Sequence, residues 1–289
     1  MTSESEGALS GLRVVEWAQM VAGPYCAKLM ADMGAEVIKV EPPGRGDEAR
    51  SRGPFLGDEP DPEKSGLFLY LNTNKLGITL DPETATGKRL FKDLIERADI
   101  LVEDQEPRRL QELGLGYGAL SSMNPGLVVT SVTTFGHTGP YRDFKAYPLN
   151  TFHSGGEGYM TPFASLRDPL SPGRPPLKVG TYTGEYIAGI GAAGATLVAT
   201  SYRERSGRGQ HVDISKQQSL LFTISRELHR YPLHGQFSSR FTRVFRFSGS
   251  FECRDGFIMV SPQRQEHFGA FCDILGPQWP QDEKHRDWA

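Results

Sequence analysis

Short apolar runs alternate with amphipathic stretches through the first 135 residues. LRVVE at 12–16, EVIKVE at 36–41, ILVE at 100–103 and LVVTSV at 127–132 read as strands. The last is apolar enough to be covered on both faces, as in a parallel sheet. Between the first two strands, Pro24 suits the opening turn of a helix that continues over 25–33, and Gly34 is placed to end it in the left-handed conformation. Strand, helix and strand within about 30 residues make a βαβ unit, with parallel strands and a right-handed crossover. The pattern predicts further short strands at 66–72 and 77–80 and a helix over 81–98, with Asp81 as its cap and Pro82 at its first position. Short helices follow at 108–113 and 117–124. The alternation implies an α/β fold built on an open parallel sheet.

After residue 135 the chain is loop-rich to 176, and the stretch Pro42–Pro62 reads as a long surface loop. A helix is predicted over 183–203, with small residues at 184, 188, 191, 192, 195 and 199 giving it a narrow face for close packing. A strand at 211–214 and a helix at 216–229 follow. Residues 231–249 are aromatic and basic, 251–260 form a hairpin turning at Arg254-Asp255-Gly256, and 266–275 form a final helix. The expected organisation is a disordered lead at 1–9, a large α/β domain at 10–230, and a linker with part of a smaller domain at 231–289.

Composition narrows the class. The chain is 38% apolar and 23% charged, as in soluble globular proteins. A net charge of −3 gives no reason to expect nucleic acid or a membrane surface as partner. Three cysteines without CxxC spacing predict neither a disulfide framework nor a zinc site, and point to the cytoplasm. The polar, acidic start predicts no signal peptide. The most apolar run, 186–200, is shorter than the roughly 20 residues of a membrane span. G-x-G-x-x-G, G-x-x-x-x-G-K-[ST] and G-x-S-x-G are all absent, which argues against nicotinamide, Walker-type nucleotide and hydrolase chemistry. The seven histidines contain no H-x-x-x-H pair, so no metal site is expected.

Six stretches carry a resemblance. They are LSGLRVVEWAQMVAGPYCAKLMADMGAEVIKVEPPGRGD at 9–47, LNTNKLGITLD at 71–81, ADILVED at 98–104, LGLGYGAL at 113–120, NPGLVVTSVTTFGHTGP at 124–140 and ERSGRGQHVDIS at 204–215. In this order and spacing the chain resembles the class III CoA-transferases, a family that includes formyl-CoA, carnitine-CoA and benzylsuccinate transferases and the related 2-methylacyl-CoA racemases. The resemblance implies a Rossmann-like large domain, a smaller second domain and interlocked dimers, homomeric or heteromeric. It implies an acyl-CoA and a carboxylic acid as substrates, with CoA itself as the carried group and no tightly bound cofactor. Family chains usually continue well past residue 289, so the expectation is a fragment or a short member.

In the family mechanism an aspartate attacks the thioester, giving a mixed anhydride and CoA thiolate, and its own carbonyl then carries CoA. The aspartate lies in a pattern like G-D-L-T-A-G. The matching residues are Gly180 to Glu185, so Thr181 stands in the aspartate's place. A threonine has no carbonyl with which to hold CoA. Three readings stay open: a heteromer whose partner chain supplies the aspartate, a silent structural or regulatory paralogue, and a homomeric enzyme using another carboxylate such as Glu185. The plain alternative for Glu185 is an exposed acid at a helix start. By resemblance, CoA-contact positions are Met20, Val21, Ala22, Leu80, Asp104, Gln105, Arg108 and Arg109. Asp47 and Arg50 match the family's G-D-x-x-R loop, or form a surface salt bridge. At the racemase histidine position the chain has Tyr147 and Pro148.

Overall fold

The computed structural model describes residues 7–161, 175, 177–237, 249–260 and 264–276. They belong to two compact units, one of residues 1–158 and 178–228 and the other of 159–177 and 229–289.

The first unit is built on six parallel strands: β1 (Arg13–Trp17), β2 (Glu36–Glu41), β3 (Lys75–Thr79), β4 (Ile100–Glu103), β5 (Val128–Thr133) and β6 (His211–Ser215). Their order is β3-β2-β1-β4-β5-β6, with Val15 opposite both Ile38 and Leu101. The chain therefore reverses its winding direction between β1 and β4, and a crevice opens there at the carboxyl ends of the strands. Its helices are α1 (Ala22–Asp32), α2 (Gly66–Leu71), α3 (Ala85–Ile95), α4 (Pro107–Leu113), α5 (Tyr117–Met123), α6 (Pro148–Ser154), α8 (Thr183–Ser206) and α9 (Lys216–Leu221), while the single turn α7 (Glu157–Met160) and α10 (Ser225–His234) have residues in both units. One sheet face packs against α1 and α8 through Val14, Met30, Ile100, Val128, Ala188 and Ala192. The other packs against α3, α4 and α5 through Val15, Phe91, Leu101, Leu110, Leu120 and Val129. The small residues of α8 let it approach α1 closely: a Cβ at Gly189 would lie 2.8 Å from the Ala22 carbonyl oxygen.

In the second unit, β7 (Gly249–Cys253) and β8 (Gly256–Val260) form an antiparallel hairpin with Cys253 opposite Gly256. This is the expected hairpin, begun two residues earlier. The helix α11 spans Gln265–Leu275. Residues 162–174 of the loop-rich stretch, 238–248 of the aromatic and basic segment and the tail 277–289 lie outside the described residues.

Several local expectations are corrected. Residues 66–71 are helical, not a strand. Ser65 Oγ caps them by accepting the Phe68 N–H at 3.1 Å, and the buried positions are Leu67 and Leu71, a helical spacing that the run GLFLYL conceals. Thr84, not Asp81, caps α3: its Oγ1 accepts the Gly87 N–H at 3.0 Å, while Asp81 makes a turn with the Glu83 N–H. The helix expected over 216–229 breaks at 222–224 into α9 and α10. Leu9, placed by the sequence in the lead, donates its N–H to the Met33 carbonyl at 2.9 Å and packs on the core.

The loop at 42–62 is the largest surprise, because part of it is buried. Lys39 on β2 points to the carboxyl end of β1, where its Nζ lies 2.7 Å from Glu16 and 2.7 Å from Asp47. Lys75 reaches the second oxygen of Glu16, also at 2.7 Å. Glu16, Lys39 and Asp47 are fully buried. Burial alone would raise the Glu16 carboxyl, but Lys39 and Lys75 outweigh it and hold it below its usual value. Burial opposes the Lys39 charge as well, and Glu16 and Asp47 reverse that. Asp47 and Arg50 do not pair with each other. Asp47 serves the buried cluster, and Arg50 binds Glu41 at 2.8 Å and Glu63 at 2.8 Å.

Removing the central cation leaves the buried carboxylates of Glu16 and Asp47 with Lys75 as the one ion-pair partner among the described residues. Lys39→Met is expected to lower unfolding free energy by about 3–5 kcal/mol, measured by urea denaturation. A loss under about 1 kcal/mol would show that the cluster is not a buried ionic knot.

Candidate functional site

A cleft of about 870 Å³ lies in the first unit at the carboxyl ends of the strands. The sequence after β1 supplies Gln19 and Met20, and that after β4 supplies Asp104, Gln105, Glu106 and Arg109. Tyr147, Pro148, Leu149 and Thr151 come from the start of α6. Lys178, Gly180, Tyr182 and Glu185 come from the approach to α8 and its first turn, and Lys216 opens α9. The cleft therefore sits at the point where the sheet reverses direction, the place at which open α/β sheets bind ligands.

The buried ionic cluster shapes one wall. Asp47 Oδ1 accepts the backbone N–H of Met20 at 2.9 Å and that of Ala49 at 2.8 Å, and Lys39 donates to the Ala18 carbonyl at 3.0 Å. Met20 is thereby held at φ 63°, a left-handed conformation that a methionine rarely adopts without such support. Asp104 Oδ2 accepts the Gln19 N–H at 2.9 Å, which ties the two switch-point loops together.

The opposite wall carries the charges. Glu185 is only 4% exposed, so it is not the exposed helix-start acid of the plain reading. Its carboxylate lies 2.7 Å from Lys216 Nζ, in the first turn of the 24-residue helix α8. There the helix dipole favours negative charge. Asp104 is pushed up to about 7, mainly by burial, with the Lys216 charge acting against the rise. The cleft thus holds one ion-paired carboxylate, one carboxyl that titrates near neutrality and one lysine acting on both.

The structure brings together some of the residues predicted from sequence and separates others. Met20, Asp104, Gln105, Arg109 and Glu185 line the cleft. Val21 and Ala22 are buried in the packing around α1 instead. Leu80 packs against the α3 side of the core, and its N–H is held by the Glu41 carbonyl. Arg108 is exposed and pairs with Glu112 at 3.3 Å, whereas Arg109 pairs with Glu83. Thr181 is not among the lining residues: its hydroxyl bonds that of Thr183 at 2.7 Å and its carbonyl accepts from Lys178 Nζ at 2.7 Å. Sequence reasoning missed Lys216, Lys178, Tyr182 and Gln19. Lys216 carried a signal, since a lysine directly after the strand HVDIS must lie at the carboxyl edge of the sheet. Among the described residues no group of three His, Cys, Asp or Glu side chains could hold a metal ion, and no helix is long and apolar enough to cross a membrane.

The sequence profile of CoA-transferase family III matches residues 9–288. The chain is 39% identical over 235 residues to succinyl-CoA–D-citramalate CoA-transferase of Chloroflexus aurantiacus, a match covering 80% of this chain and 55% of that protein. It is 32% identical over 279 residues to the beta subunit of succinyl-CoA–L-malate CoA-transferase of the same organism, covering 93% of this chain and 65% of that one. The chain thus spans less than two thirds of the length of either relative. A CAIB/BAIF family protein from Brucella suis superposes with a TM-score of 0.79 at 29% identity, over 98% of this chain and 73% of that one.

Asp104 gives the site a measurable pH signature. Its carboxyl is raised in the fold from 3.8 to about 7, so its contribution to stability is complete below pH 3.8 and is lost as pH rises through about 7. Asp104→Asn removes that loss. Its unfolding free energy relative to wild type should climb by about 1–2 kcal/mol between pH 4 and pH 8, allowing for solvent screening, as read by urea denaturation across that range. A constant difference would mean that Asp104 is an ordinary carboxylate.

Proposed function

The chain belongs to CoA-transferase family III, and from that premise we propose that it takes CoA from a CoA thioester and passes it to a carboxylic acid, with Glu185 as the carboxylate that carries the group. The observation behind this reading is the position of Glu185: a buried carboxylate at the start of α8, lining the cleft, 2.7 Å from Lys216. Thr181 is a poor competitor, since its hydroxyl is engaged by Thr183 and it has no carbonyl in its side chain.

The chemistry requires a side-chain carboxyl at each stage. An oxygen of Glu185 attacks the thioester carbonyl carbon. The C–S bond breaks, CoA leaves as thiolate and a mixed anhydride remains. The thiolate attacks the Glu185 carbonyl, the donor departs as its free carboxylate, and CoA is now held on Glu185 as a thioester. The acceptor carboxylate attacks that thioester, expelling CoA thiolate and forming a second anhydride. The thiolate then attacks the acceptor's acyl carbon, giving the new CoA thioester and restoring the Glu185 carboxylate. Each step develops negative charge on an oxygen near Glu185, and the Lys216 ammonium and the amino end of α8 stabilise it.

The relatives named for D-citramalate and L-malate act on acids with two carboxylates. For this chain the corresponding substrates are a dicarboxylic acid and its CoA thioester. Lys178 and Arg52, both lining the cleft, are the cations for the carboxylate that does not react.

A second reading has support from one of the relatives, a beta subunit. In it this chain works beside a homologous chain that supplies the nucleophilic carboxylate, and Glu185 serves only to position Lys216. The two readings part on one substitution. With succinyl-CoA and a dicarboxylic acid, Glu185→Gln should lower the CoA-exchange rate at least roughly a thousandfold, and Glu185→Asp should retain more activity than Glu185→Gln. A Glu185→Gln protein that exchanges CoA at the wild-type rate would rule out Glu185 as the nucleophile and leave another carboxylate, in this chain or in a partner.

A further inference from the structure

A second cavity, of about 440 Å³, lies beneath α4 and α5 on the sheet face formed by β4, β5 and β6. It shares no lining residue with the cleft around Glu185. Its volume falls in the range of small-molecule sites. Leu110, Leu115 and Tyr117 provide apolar walls, and the Tyr117 ring stacks on His211 with centroids 5.2 Å apart.

The floor is polar and incompletely satisfied. Glu103 is 0% exposed, and its Oε1 has no hydrogen-bond partner. His137 Nε2 is also buried without a partner. These atoms are 3.8 Å apart, too far to bond each other. A single nitrogen about 2.8 Å from each could bond both. The other Glu103 oxygen is already used, accepting the Gln105 N–H at 2.7 Å. Ser131 bonds His211 at 2.8 Å and also gives hydrogen-bond support to the Glu103 carboxylate.

The charge balance decides what kind of nitrogen belongs there. Lysine and arginine are absent from the lining. Burial, against the hydrogen bonds from Ser131 and the Gln105 N–H and with a smaller push from the Asp104 and Asp213 charges, raises Glu103 to about 8. Asp213 is fixed by the backbone N–H of His137, at 3.0 and 2.9 Å to its two oxygens. Burial also keeps His137 and His211 neutral by pushing both below the usual histidine value. An anion entering this cavity would meet an acid and no cation. A cation would find the buried Glu103 carboxyl, the unpartnered Nε2 of His137 and an aromatic ring.

We propose that this cavity is a binding site for a primary ammonium group carried on a small apolar body, with Glu103 and His137 accepting from its nitrogen and Leu110, Leu115 and Tyr117 covering the body. This cavity is distinct in its lining from the cleft assigned to CoA transfer.

Benzylamine is a suitable probe, with benzyl alcohol as its uncharged counterpart of the same shape. Isothermal titration at pH 7 should show benzylamine binding at least tenfold more tightly than benzyl alcohol. Binding should release about one proton, read from the dependence of the heat on buffer ionisation, because Glu103 must give up its proton to pair with the ammonium. Glu103→Gln should weaken benzylamine at least tenfold and abolish the proton release. His137→Leu, which leaves the Glu103 carboxyl in place, should weaken it with the release retained, and serves if Glu103→Gln does not fold. Equal affinity for the amine and the alcohol, unchanged binding in either variant, or a soaked crystal with only water between Glu103 and His137 would overturn the proposal.

Discussion

The interaction on which the rest of the first unit depends is the buried ionic knot at the carboxyl end of β1. Glu16 stands on the central strand next to the point where the sheet reverses direction, and two lysines from β2 and β3 converge on it at 2.7 Å each. Taking these charges out of water is costly, and the arrangement is tolerable only because each charge has an opposite neighbour and further hydrogen bonds. That demand is what pulls Asp47 out of a hydrophilic loop and into the interior, where it completes the coordination of Lys39. Asp47 then holds Met20 in its left-handed conformation. A cluster that looks like a cost to stability is in this way the device that fixes the shape of the cleft's wall.

The other wall is set by a different constraint. The small residues of α8 allow it to lie against α1 so closely that a side chain at Gly189 would collide with the α1 backbone. This fixes how α8 lies against α1, with Glu185 one turn before the contact. The amino end of α8 and Lys216, which follows β6, then converge on the same carboxylate. The two walls rest on separate sets of contacts, the ionic cluster on one side and the packing of α8 on α1 on the other. Such fixed positions suit the proposed reaction, in which one carboxylate meets an acyl carbon, a thiolate and a second acid in turn.

Much of the fold was legible in the sequence because buried strands leave short runs dense in branched apolar residues, as LRVVE, EVIKVE, ILVE and LVVTSV do. The run GLFLYL misled, since a six-residue apolar stretch has no visible period and only the Ser65 cap decides in favour of helix. The buried knot could not be read at all: Lys39 sits in EVIKVE and Asp47 in PGRGDEAR, and both look like solvated charges until the sheet brings them together. The candidate site was half legible. Resemblance put Thr181 in the aspartate's place and left Glu185 as one alternative among three, whereas in the structure Glu185, in the first turn of α8, lines the cleft. The sequence places Lys216 at the carboxyl edge of the sheet, but its pairing with Glu185 is readable only once β6 lies beside β5.

The central claim is that Glu185 itself becomes bonded to CoA. The most direct measurement is mass spectrometry of protein incubated with succinyl-CoA, quenched in acid and digested with trypsin. The account predicts a mass increase of one CoA less one water on the peptide 179–203, with fragment ions assigning it to Glu185. CoA attached to a carboxylate elsewhere, in this chain or in a partner, would contradict it.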